Sequence, residues 1–244
     1  MPRFFVTPEA IAEGSLTITG GDAYHIARAL RMAVDDELTV ADGTGKEYLC
    51  RLTRIRDDEA CAEIISERES SCESPARITL YMAYPKSDKL ELVIQKAVEL
   101  GAARIVPFES QRCIKRPKAE KIEKQTARLA RIAEEAAKQC GRAIMPTVAE
   151  PISFAEMLKD AGTSSLALFC YEGEGARSLR AVLDESGRPD SCAVIVGSEG
   201  GFSPEEAKAA VDAGLISVNL GPRILRCETA PMYALSALSY HLEL

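Results

Sequence analysis

The sequence predicts an α/β protein in which a small β-rich domain, residues 1–72, precedes a mostly parallel sheet domain, residues 76–244. In the first part, short alternating runs are separated by tight turns, a pattern typical of a compact barrel. From Ile78 onward, continuous apolar runs of strand length alternate with amphipathic helical stretches. This alternation indicates a sheet covered by helices on both faces. A chain of 244 residues is long enough for both domains to bury a core.

Three strands and one helix are predicted in the first part. The strands are short apolar runs bounded by turn residues, at 38–41, 47–52 and 60–65. The helix is expected to begin at Asp22, a good N-cap residue, and to continue to Met32. Residues 66–75 are polar and end in proline, so we interpret them as a linker between the two parts.

The second part contains five predicted strands and six predicted helices. The strands are apolar runs at 78–83, 104–108, 166–171, 193–196 and 217–220. Each helix is predicted from an apolar stripe along one face or from a capping residue before its start. The predicted helices lie at 88–100, 121–140, 154–160, 179–185, 205–213 and 231–242. Gly101 is expected to end the first of these helices, and Thr229 to cap the last.

Composition indicates a globular protein of the cytosol. Hydrophobic residues make up 46% and charged residues 27% of the chain. Neither the start of the sequence nor any later stretch has the apolar run of a signal peptide or a membrane span. The eight cysteines are scattered without a C-x-x-C pair, and there are two histidines, so we expect free thiols and no metal site.

Positive charge is concentrated in one segment although the net charge is −7. Residues 112–142 contain ten basic residues against four acidic ones. The positive field of this segment can attract a polyanion, so the segment is a candidate for contact with phosphate groups. The alternative is that it forms an ordinary solvated surface. No aromatic residue interleaves with this segment, which argues against a platform that stacks single-stranded bases.

Two glycine-bearing loops follow predicted strands and are the first candidates for a site. One has the sequence GSEGG at 197–201, and the other has LGPRILRCETA at 220–230. Loops that follow parallel strands meet at one sheet edge, where α/β proteins bind ligands. The carboxylate of Glu199 and the absence of a Gly-Lys-Ser/Thr sequence argue against phosphate, so a neutral or cationic ligand fits better. The alternative is that both are simple connecting loops.

A third loop and one cysteine are weaker candidates. Residues 171–178 begin like a dinucleotide-binding loop but lack the third glycine and carry two glutamates, which argues against a dinucleotide. Because this loop also follows a strand near the same sheet edge, it is interpreted as a third wall of the same pocket. Cys227 beside Arg226 is a candidate nucleophile, although no histidine is near it in sequence. His25 and His241 lie in predicted helices and are assigned structural roles.

The two glycine-bearing loops resemble those of the RsmE family, whose members use S-adenosyl-L-methionine to methylate N3 of uridine 1498 in 16S ribosomal RNA. The resemblance extends along the chain through PRFF at 2–5, KLELVIQKAVELG at 89–101 and EAAKQCGR at 135–142. Two positions depart from the family pattern. Ser198 replaces a common proline, which is expected to loosen that loop, and Tyr24 replaces a frequent histidine.

The resemblance implies the fold, the assembly and the partners. It implies a PUA-like RNA-binding β-barrel at 1–72 and a SPOUT-type α/β methyltransferase domain at 76–244 with a C-terminal trefoil knot. It also implies a homodimer packed across the knots, and the small ribosomal subunit as partner. As the cysteine spacing and the lack of long apolar runs indicate, we expect neither a metal nor a membrane to be involved. The alternatives are a SPOUT enzyme that acts on another RNA or on ribose 2′-OH, and a non-catalytic RNA-binding protein.

The resemblance also assigns residues to the S-adenosyl-L-methionine site. Backbone groups of Leu220, Ile224 and Leu225 would hold adenine. Arg226 would stabilise the developing uracil anion, and Glu199 would act as a base or as partner of the sulfonium. The full set of donor-binding candidates is Phe169, Tyr171, Glu172, Gly197, Glu199, Gly200, Gly201, Leu220, Gly221, Ile224, Leu225, Arg226 and Thr229. The candidates for RNA contact, taken from the basic positions, are Arg28, Arg31, Arg112, Lys115, Arg116, Lys121, Lys124 and Arg128.

Overall fold

A computed structural model of the chain describes residues 1–86, 89–114, 116–117 and 119–244. Lys115, a candidate for RNA contact, and residue 88, the predicted start of a helix, lie outside the described residues. The chain forms two compact units. The first unit contains residues 1–73 and 137–145, and the second contains 74–136 and 146–244. None of the helices in the described residues has both the length and the apolar composition needed to cross a membrane.

The first unit is built on a six-stranded sheet. Its strands are β1 (Arg3–Phe5), β2 (Ile11–Ala12), β3 (Ser15–Thr19), β4 (Glu37–Ala41), β5 (Lys46–Ile55) and β6 (Glu59–Glu69). They are ordered β1-β4-β5-β6-β3-β2, and every pair is antiparallel except β1 with β4. Alternate side chains of the sheet, among them Leu16, Ile18, Leu38 and Leu52, form its core. The three predicted strands are confirmed, and β1 to β3 are additional.

The helix of the first unit begins earlier than predicted. Helix α1 (Gly20–Tyr24) is followed by a π-helical turn at His25–Ala29, and Thr19 occupies the N-cap position. Asp22 is therefore not the cap, and its carboxylate instead forms an ion pair of 2.9 Å with Lys138. The Lys138 side chain is mostly buried, so this basic residue of the 112–142 segment is not part of a solvated surface.

The predicted linker at 66–75 is wrong in its first part. Strand β6 continues to Glu69 because it stays paired with β5, and Arg68 contacts Glu47 at 3.0 Å. Beyond the strand, the carboxylate of Glu73 accepts hydrogen bonds from the Arg142 side chain at 2.8 Å and from the backbone N–H of Ala143 at 2.9 Å. These contacts hold residues 137–145 in the first unit.

The second unit alternates strands and helices as predicted. Its strands are β7 (Arg77–Ala83), β8 (Ala102–Glu109), β9 (Thr147–Val148), β10 (Ile152–Ser153), β11 (Leu166–Cys170), β12 (Arg177–Ser178), β13 (Ser191–Val196) and β14 (Ile216–Asn219). Its helices are α2 (Lys89–Glu99), α3 (Ile122–Cys140), α4 (Phe154–Ala161), α5 (Leu179–Ser186), α6 (Pro204–Asp212) and α7 (Thr229–Glu243), and the last turn of α3 belongs to the first unit. The five predicted strands and six predicted helices are confirmed with ends within about two residues, and the short β9, β10 and β12 are additional.

All strand pairs of this second sheet are parallel. The order is β10-β8-β7-β13-β11-β14-β12, with β9 also beside β8. The central strands are buried, with Leu80, Val194 and Leu168 in register across three of them. Strand β11 lies between β13 and β14, so the carboxyl ends of these three strands are neighbours at one edge.

Candidate active site

The loops after β13, β11 and β14 line one cavity of about 750 Å³. This volume is within the range of small-molecule binding sites. The sequence predicts two of these loops side by side, and the structure places the third loop, after β11, between them. The predicted donor-binding residues that line the cavity are Tyr171, Glu172, Gly197, Glu199, Gly200, Gly201, Leu220, Gly221, Ile224, Leu225 and Arg226.

Two of the predicted donor-binding residues do not line the cavity. Phe169 is fully buried, and its ring centre lies 4.3 Å from that of Phe202. It therefore packs against Phe202, the last residue of the 197–202 loop, instead of lining the cavity. Thr229 is the first residue of α7 rather than its cap, since Glu228 occupies the N-cap position without a side-chain hydrogen bond. The backbone N–H of Thr229 bonds to the carbonyl of Arg226 at 2.8 Å and closes the turn that precedes the helix.

The glycines of the 197–202 loop are required by close packing. A Cβ at Gly200 would lie 2.9 Å from the Cβ of Arg112 and 3.2 Å from its carbonyl oxygen. A Cβ at Gly197 would lie 3.1 Å from the Phe202 ring. Ser198 is buried, and its hydroxyl donates to the carbonyl of Arg112 at 3.5 Å. This contact joins Ser198 to the segment after β8, and the loosening expected from the serine stays a prediction.

A capping box at the start of α6 joins this loop to the segment after β8. Ser203 accepts from the backbone of Glu206, and the Glu206 carboxylate accepts from the backbone of Ser203 at 2.9 Å. The same carboxylate accepts from the backbone N–H of Gln111 at 2.7 Å. The adjacent Arg112, predicted to contact RNA, donates to the carbonyl of Gly200 at 3.1 Å and lines the cavity.

The loop after β11 is attached to the loop after β14. Its Tyr171 donates its backbone N–H to Val218 at 3.0 Å, and the amide of Asn219 donates to the carbonyl of Ala176 at 3.2 Å. The Tyr171 ring lies against Gly173, where a Cβ would come within 2.0 Å of a ring carbon. A glycine at 173 is therefore needed for the aromatic ring to lie beside the cavity.

A charged cluster on the cavity wall includes Lys89, which the sequence did not assign to the site. The ammonium of Lys89 is 3.1 Å from a carboxylate oxygen of Glu199 and 3.1 Å from one of Glu228. Burial alone would raise the pKa of Glu199, but hydrogen bonds from its own backbone, from Lys89 and from the backbone of Lys86 outweigh burial and lower it. The sequence signal for Lys89 is that it begins the 89–101 stretch of the family resemblance, whereas the position of its helix after β7, the sheet neighbour of β13, is known only from the structure.

Arg226 and Cys227 differ in accessibility at the end of the third loop. The Arg226 side chain is exposed at the cavity and forms no ion pair with any residue that the structure describes. Cys227 is buried, and burial, the hydrogen bond to Glu228 and the charge of Glu199 raise the pKa of its thiol to about 12. The thiol is therefore protonated at neutral pH, which argues against the nucleophile reading.

The basic residues of the second unit are not equally available to a polyanion. Lys121 and Lys124 are exposed, and Arg131 is on the same face of α3. Arg128, also on this face, forms a bidentate ion pair with Glu91. The guanidinium of Arg116 lies 3.8 Å from the carboxylate of Glu109. The free positive charge of this face therefore comes mainly from Lys121, Lys124 and Arg131.

In the first unit, one of the two candidate arginines is already paired. Arg28 forms a two-pronged pair with Asp57 at 2.8 and 2.6 Å, and both side chains are exposed. Arg31 is exposed and has a positive φ of 52°. His25 contacts the Phe4 ring edge-on, and, in the second unit, His241 bonds to the carbonyl of Gly187 at 2.9 Å. Both histidines lie in helical segments, as predicted, and their structural roles stay a prediction.

The cysteines and acidic residues do not form a metal centre in the part of the chain described. All eight cysteines are free. Among the described residues, no three or more His, Cys, Asp or Glu side chains come together in a group able to hold a metal ion.

Comparison with known proteins identifies the family. A family model described as an RNA methyltransferase domain matches residues 72–239, and one described as an RNA methyltransferase PUA domain matches 18–65. The ribosomal RNA small subunit methyltransferase E of Bacillus subtilis is 33% identical over 251 residues, which cover 100% of this chain and 98% of the relative. The chain belongs to the ribosomal RNA small subunit methyltransferase E family.

Further relatives of this family agree in sequence and in fold. The Synechocystis member is 35% identical over 99% of this chain and 78% of its own length. A crystal structure of the Neisseria gonorrhoeae member, bound to S-adenosyl methionine, matches with a TM-score of 0.86 and 34% identity, covering 98% of this chain and 97% of that chain. The resemblance to the RsmE family is confirmed, and so is the α/β fold class with a PUA-like domain ahead of a SPOUT-like parallel sheet.

Proposed function

We propose that the chain transfers a methyl group from S-adenosyl-L-methionine to N3 of uridine 1498 in 16S ribosomal RNA. The observation that carries the proposal is the three-loop cavity at the carboxyl edge of β13, β11 and β14. It occurs in a fold that is shared, over nearly the whole chain, with a family member solved with S-adenosyl methionine.

The residues of the cavity fit this donor better than a phosphate-bearing nucleotide. Leu220, Ile224 and Leu225 offer apolar surface and backbone groups to an adenine ring. Glu199 adds a negative charge that suits a cation, and the loop lacks the lysine of a phosphate-binding sequence. The 750 Å³ volume accommodates a ligand of this size.

Arg226 is the residue that we assign to the chemical step. The donor supplies an electrophilic methyl group, and N3 of uracil becomes nucleophilic once it loses its proton, which leaves negative charge on the ring. The exposed guanidinium of Arg226, without an ion-pair partner among the described residues, is available to stabilise that charge. Its backbone is fixed by hydrogen bonds from Thr229 and Ala230 to its carbonyl, at 2.8 and 2.9 Å.

Glu199 is better suited to hold a cation than to accept a proton. Its carboxylate already accepts from Lys86 N–H at 3.1 Å and is paired with Lys89. Its pKa is lowered despite partial burial, and an acid of low pKa makes a weak general base. We therefore assign it the role of electrostatic partner of the sulfonium rather than that of base.

The proposal extends to the partners and the assembly. We assign RNA contact to the 1–72 domain and to the α3 face, because that face presents cations that no carboxylate of the described residues neutralises. From the family resemblance we further propose a domain boundary between 72 and 76, a trefoil knot, a homodimer, and action on the small ribosomal subunit in the cytoplasm.

Nucleoside mass spectrometry tests this function directly. The purified protein is incubated with isotopically labelled donor and with small subunits or 16S RNA from cells that lack it. We expect labelled N3-methyluridine at position 1498. Labelled ribose-methylated uridine would instead indicate the 2′-OH alternative. An absence of both methylation and donor binding by calorimetry would indicate an RNA-binding protein without catalysis.

A further inference from the structure

One lysine joins three of the segments that follow strands at the cavity edge. Lys89 begins α2, after β7, and its ammonium contacts Glu199 in the loop after β13 and Glu228 in the loop after β14, each at 3.1 Å. The Cys227 sulfur lies 3.8 Å from the same ammonium. Lys89 and Glu199 line the cavity, and Glu228 reaches the lysine from the end of the third loop.

The two carboxylates and one ammonium of this cluster give it a net charge of −1. Two carboxylates share one ammonium, and each carboxylate has a further donor. The backbone of Lys86 donates to Glu199 at 3.1 Å, and the thiol of Cys227 donates to Glu228 at 3.2 Å. Donors to the charged form favour ionised carboxylates. The exposed fractions are 31% for Lys89, 27% for Glu199 and 18% for Glu228, so solvent screens these charges only partly.

We propose that Lys89 is a positioning residue of the donor site, which holds the Glu199 and Glu228 carboxylates together across two loops and fixes an excess negative charge on the cavity wall. This inference rests on the proposed function. The sulfonium donor carries one positive charge more than the thioether product, S-adenosyl-L-homocysteine. The cluster therefore favours the donor over the product and assists product release.

The cluster also predicts how donor binding depends on pH. Hydrogen bonds to Glu228 and then to Glu199 raise the pKa of Lys89, and the pKa values of both carboxyls are lowered. Removing the lysine raises the carboxyl pKa values, so the ionised pair is lost at a higher pH than in the wild type. Among the residues that the structure describes, the other charged groups that line the cavity are Arg112, Glu172, Arg223 and Arg226. They are unchanged in every variant of this test.

Calorimetric titration with S-adenosyl-L-methionine and with S-adenosyl-L-homocysteine tests the inference. The proteins are the wild type, Lys89→Met, Lys89→Arg and Glu228→Gln, measured from about pH 5.5 to 8.5. For Lys89→Met we expect donor affinity to fall about tenfold near the acid end, with the pH profile moved upward. Lys89→Arg should stay within about threefold of the wild type because the charge is retained.

Glu228→Gln isolates the charge effect, because it removes one negative charge with almost no change in shape. The preference for donor over product should fall by about three- to tenfold. Matched controls break or alter charges away from the cavity: Lys208→Met disrupts the exposed pair with Asp212, and Glu150→Gln neutralises an exposed glutamate. Neither control should change the preference or the pH profile.

The outcomes separate the inference from the function on which it rests. A Lys89→Met profile that superposes on the wild-type profile, or an unchanged preference in Glu228→Gln, would overturn the role of Lys89. If Lys89→Met fails to fold, Glu228→Gln alone decides. A wild-type protein that binds neither compound would overturn the proposed function, and the inference with it.

Discussion

Arg226 and Cys227 are neighbours in sequence with opposite surroundings. The guanidinium of Arg226 is exposed at the cavity, whereas the thiol of Cys227 is buried beside carboxylates. Exposure leaves the arginine free to meet a substrate, and burial keeps the cysteine protonated. Of these two candidates for a role in the reaction, the tertiary environment therefore favours Arg226.

Replacing Arg226 by alanine should impair turnover far more than donor binding. Loss of one group that stabilises developing charge typically lowers kcat on the order of 10²-fold. Donor affinity should stay within about threefold, because the backbone of the third loop is retained. Single-turnover methylation and calorimetry measure the two effects. The control is Arg180→Ala, at a side chain that is 92% exposed and outside the cavity; turnover equal to that of this control would contradict the assignment.

The cysteines should differ in their rates of alkylation. Burial raises the pKa of Cys50, Cys170 and Cys227 to about 12 and that of Cys192 to about 11, whereas Cys72 is exposed. Only the thiolate reacts, so brief iodoacetamide treatment near pH 8 should label Cys72 well before these four. Peptide mass spectrometry gives the order of labelling. Early labelling of Cys227 in the folded protein would show that its thiol is more acidic than its surroundings indicate.

At the scale of elements, the start of α6 connects the 197–202 loop to the segment after β8. The capping box of Ser203 and Glu206 ends the 197–202 loop, and Glu206 also binds the backbone of Gln111. Helix α4 begins with an equivalent box, Ser153 and Glu156, which is exposed and away from the cavity. The two helices therefore offer a matched pair of caps, of which one supports the site.

Ser203→Ala and Ser153→Ala should both lower stability, the former by at least as much because its cap is buried, and they should differ in their effects on binding. Loss of a serine N-cap costs about 1 kcal/mol of unfolding free energy. Only Ser203→Ala should also weaken donor binding, since only this cap positions a cavity loop. Urea denaturation and calorimetry measure the two quantities. Equal donor affinity in the two variants would show that the α6 cap has no role in the site.

Gly200→Ala tests the close contact between this loop and Arg112. The new Cβ would lie 2.9 Å from the Arg112 Cβ, so the loop or the arginine segment must move. Overpacking of this kind costs about 1–3 kcal/mol, and we expect donor affinity to fall by about tenfold. Gly21→Ala is the control, because a Cβ at Gly21 would have nothing within 4 Å and the φ of this residue is not positive. An unchanged affinity in Gly200→Ala would indicate that the loop adapts freely.

At the scale of the whole molecule, a chain with a net charge of −7 keeps one basic face. Several of the basic residues of 112–142 are neutralised within the fold, including Lys138 by Asp22, Arg142 by Glu73 and Arg128 by Glu91. We propose that the remaining cations, Lys121 just before α3 and Lys124 and Arg131 on it, are the ones that contact RNA. The number of cations available on this face is therefore smaller than the ten basic residues of 112–142 suggest.

Lys124→Ala should reduce RNA affinity and its salt dependence without changing donor binding. Each lost phosphate contact lowers the slope of log K against log salt by about 0.7–0.9. Arg128→Ala should have a smaller effect, because Glu91 already offsets its charge. Filter binding over a salt series measures both. An Arg128→Ala slope that falls as far as that of Lys124→Ala would show that the pair with Glu91 opens when RNA binds.

The sequence by itself determined the elements of the second unit and the family. Strand and helix periodicities are local properties, so the predicted segments from residue 78 onward match the structure closely. The loops at 197–201 and 220–230 were recognisable because glycines and charges stand at fixed positions in a continuous sequence. The first unit was predicted less well, since β1 to β3 are short, and β1 and β3 pair with β4 and β6, which are distant in the chain.

Tertiary structure decided which side chains meet. The position of β11 between β13 and β14 made one cavity from three loops, and strand order is not encoded in local periodicity. The contacts of Lys89 with Glu199 and Glu228 join residues more than a hundred positions apart, as does the pair of Asp22 with Lys138. Such contacts depend on long-range packing, and the charge and pKa of each site residue follow from them rather than from its neighbours in sequence.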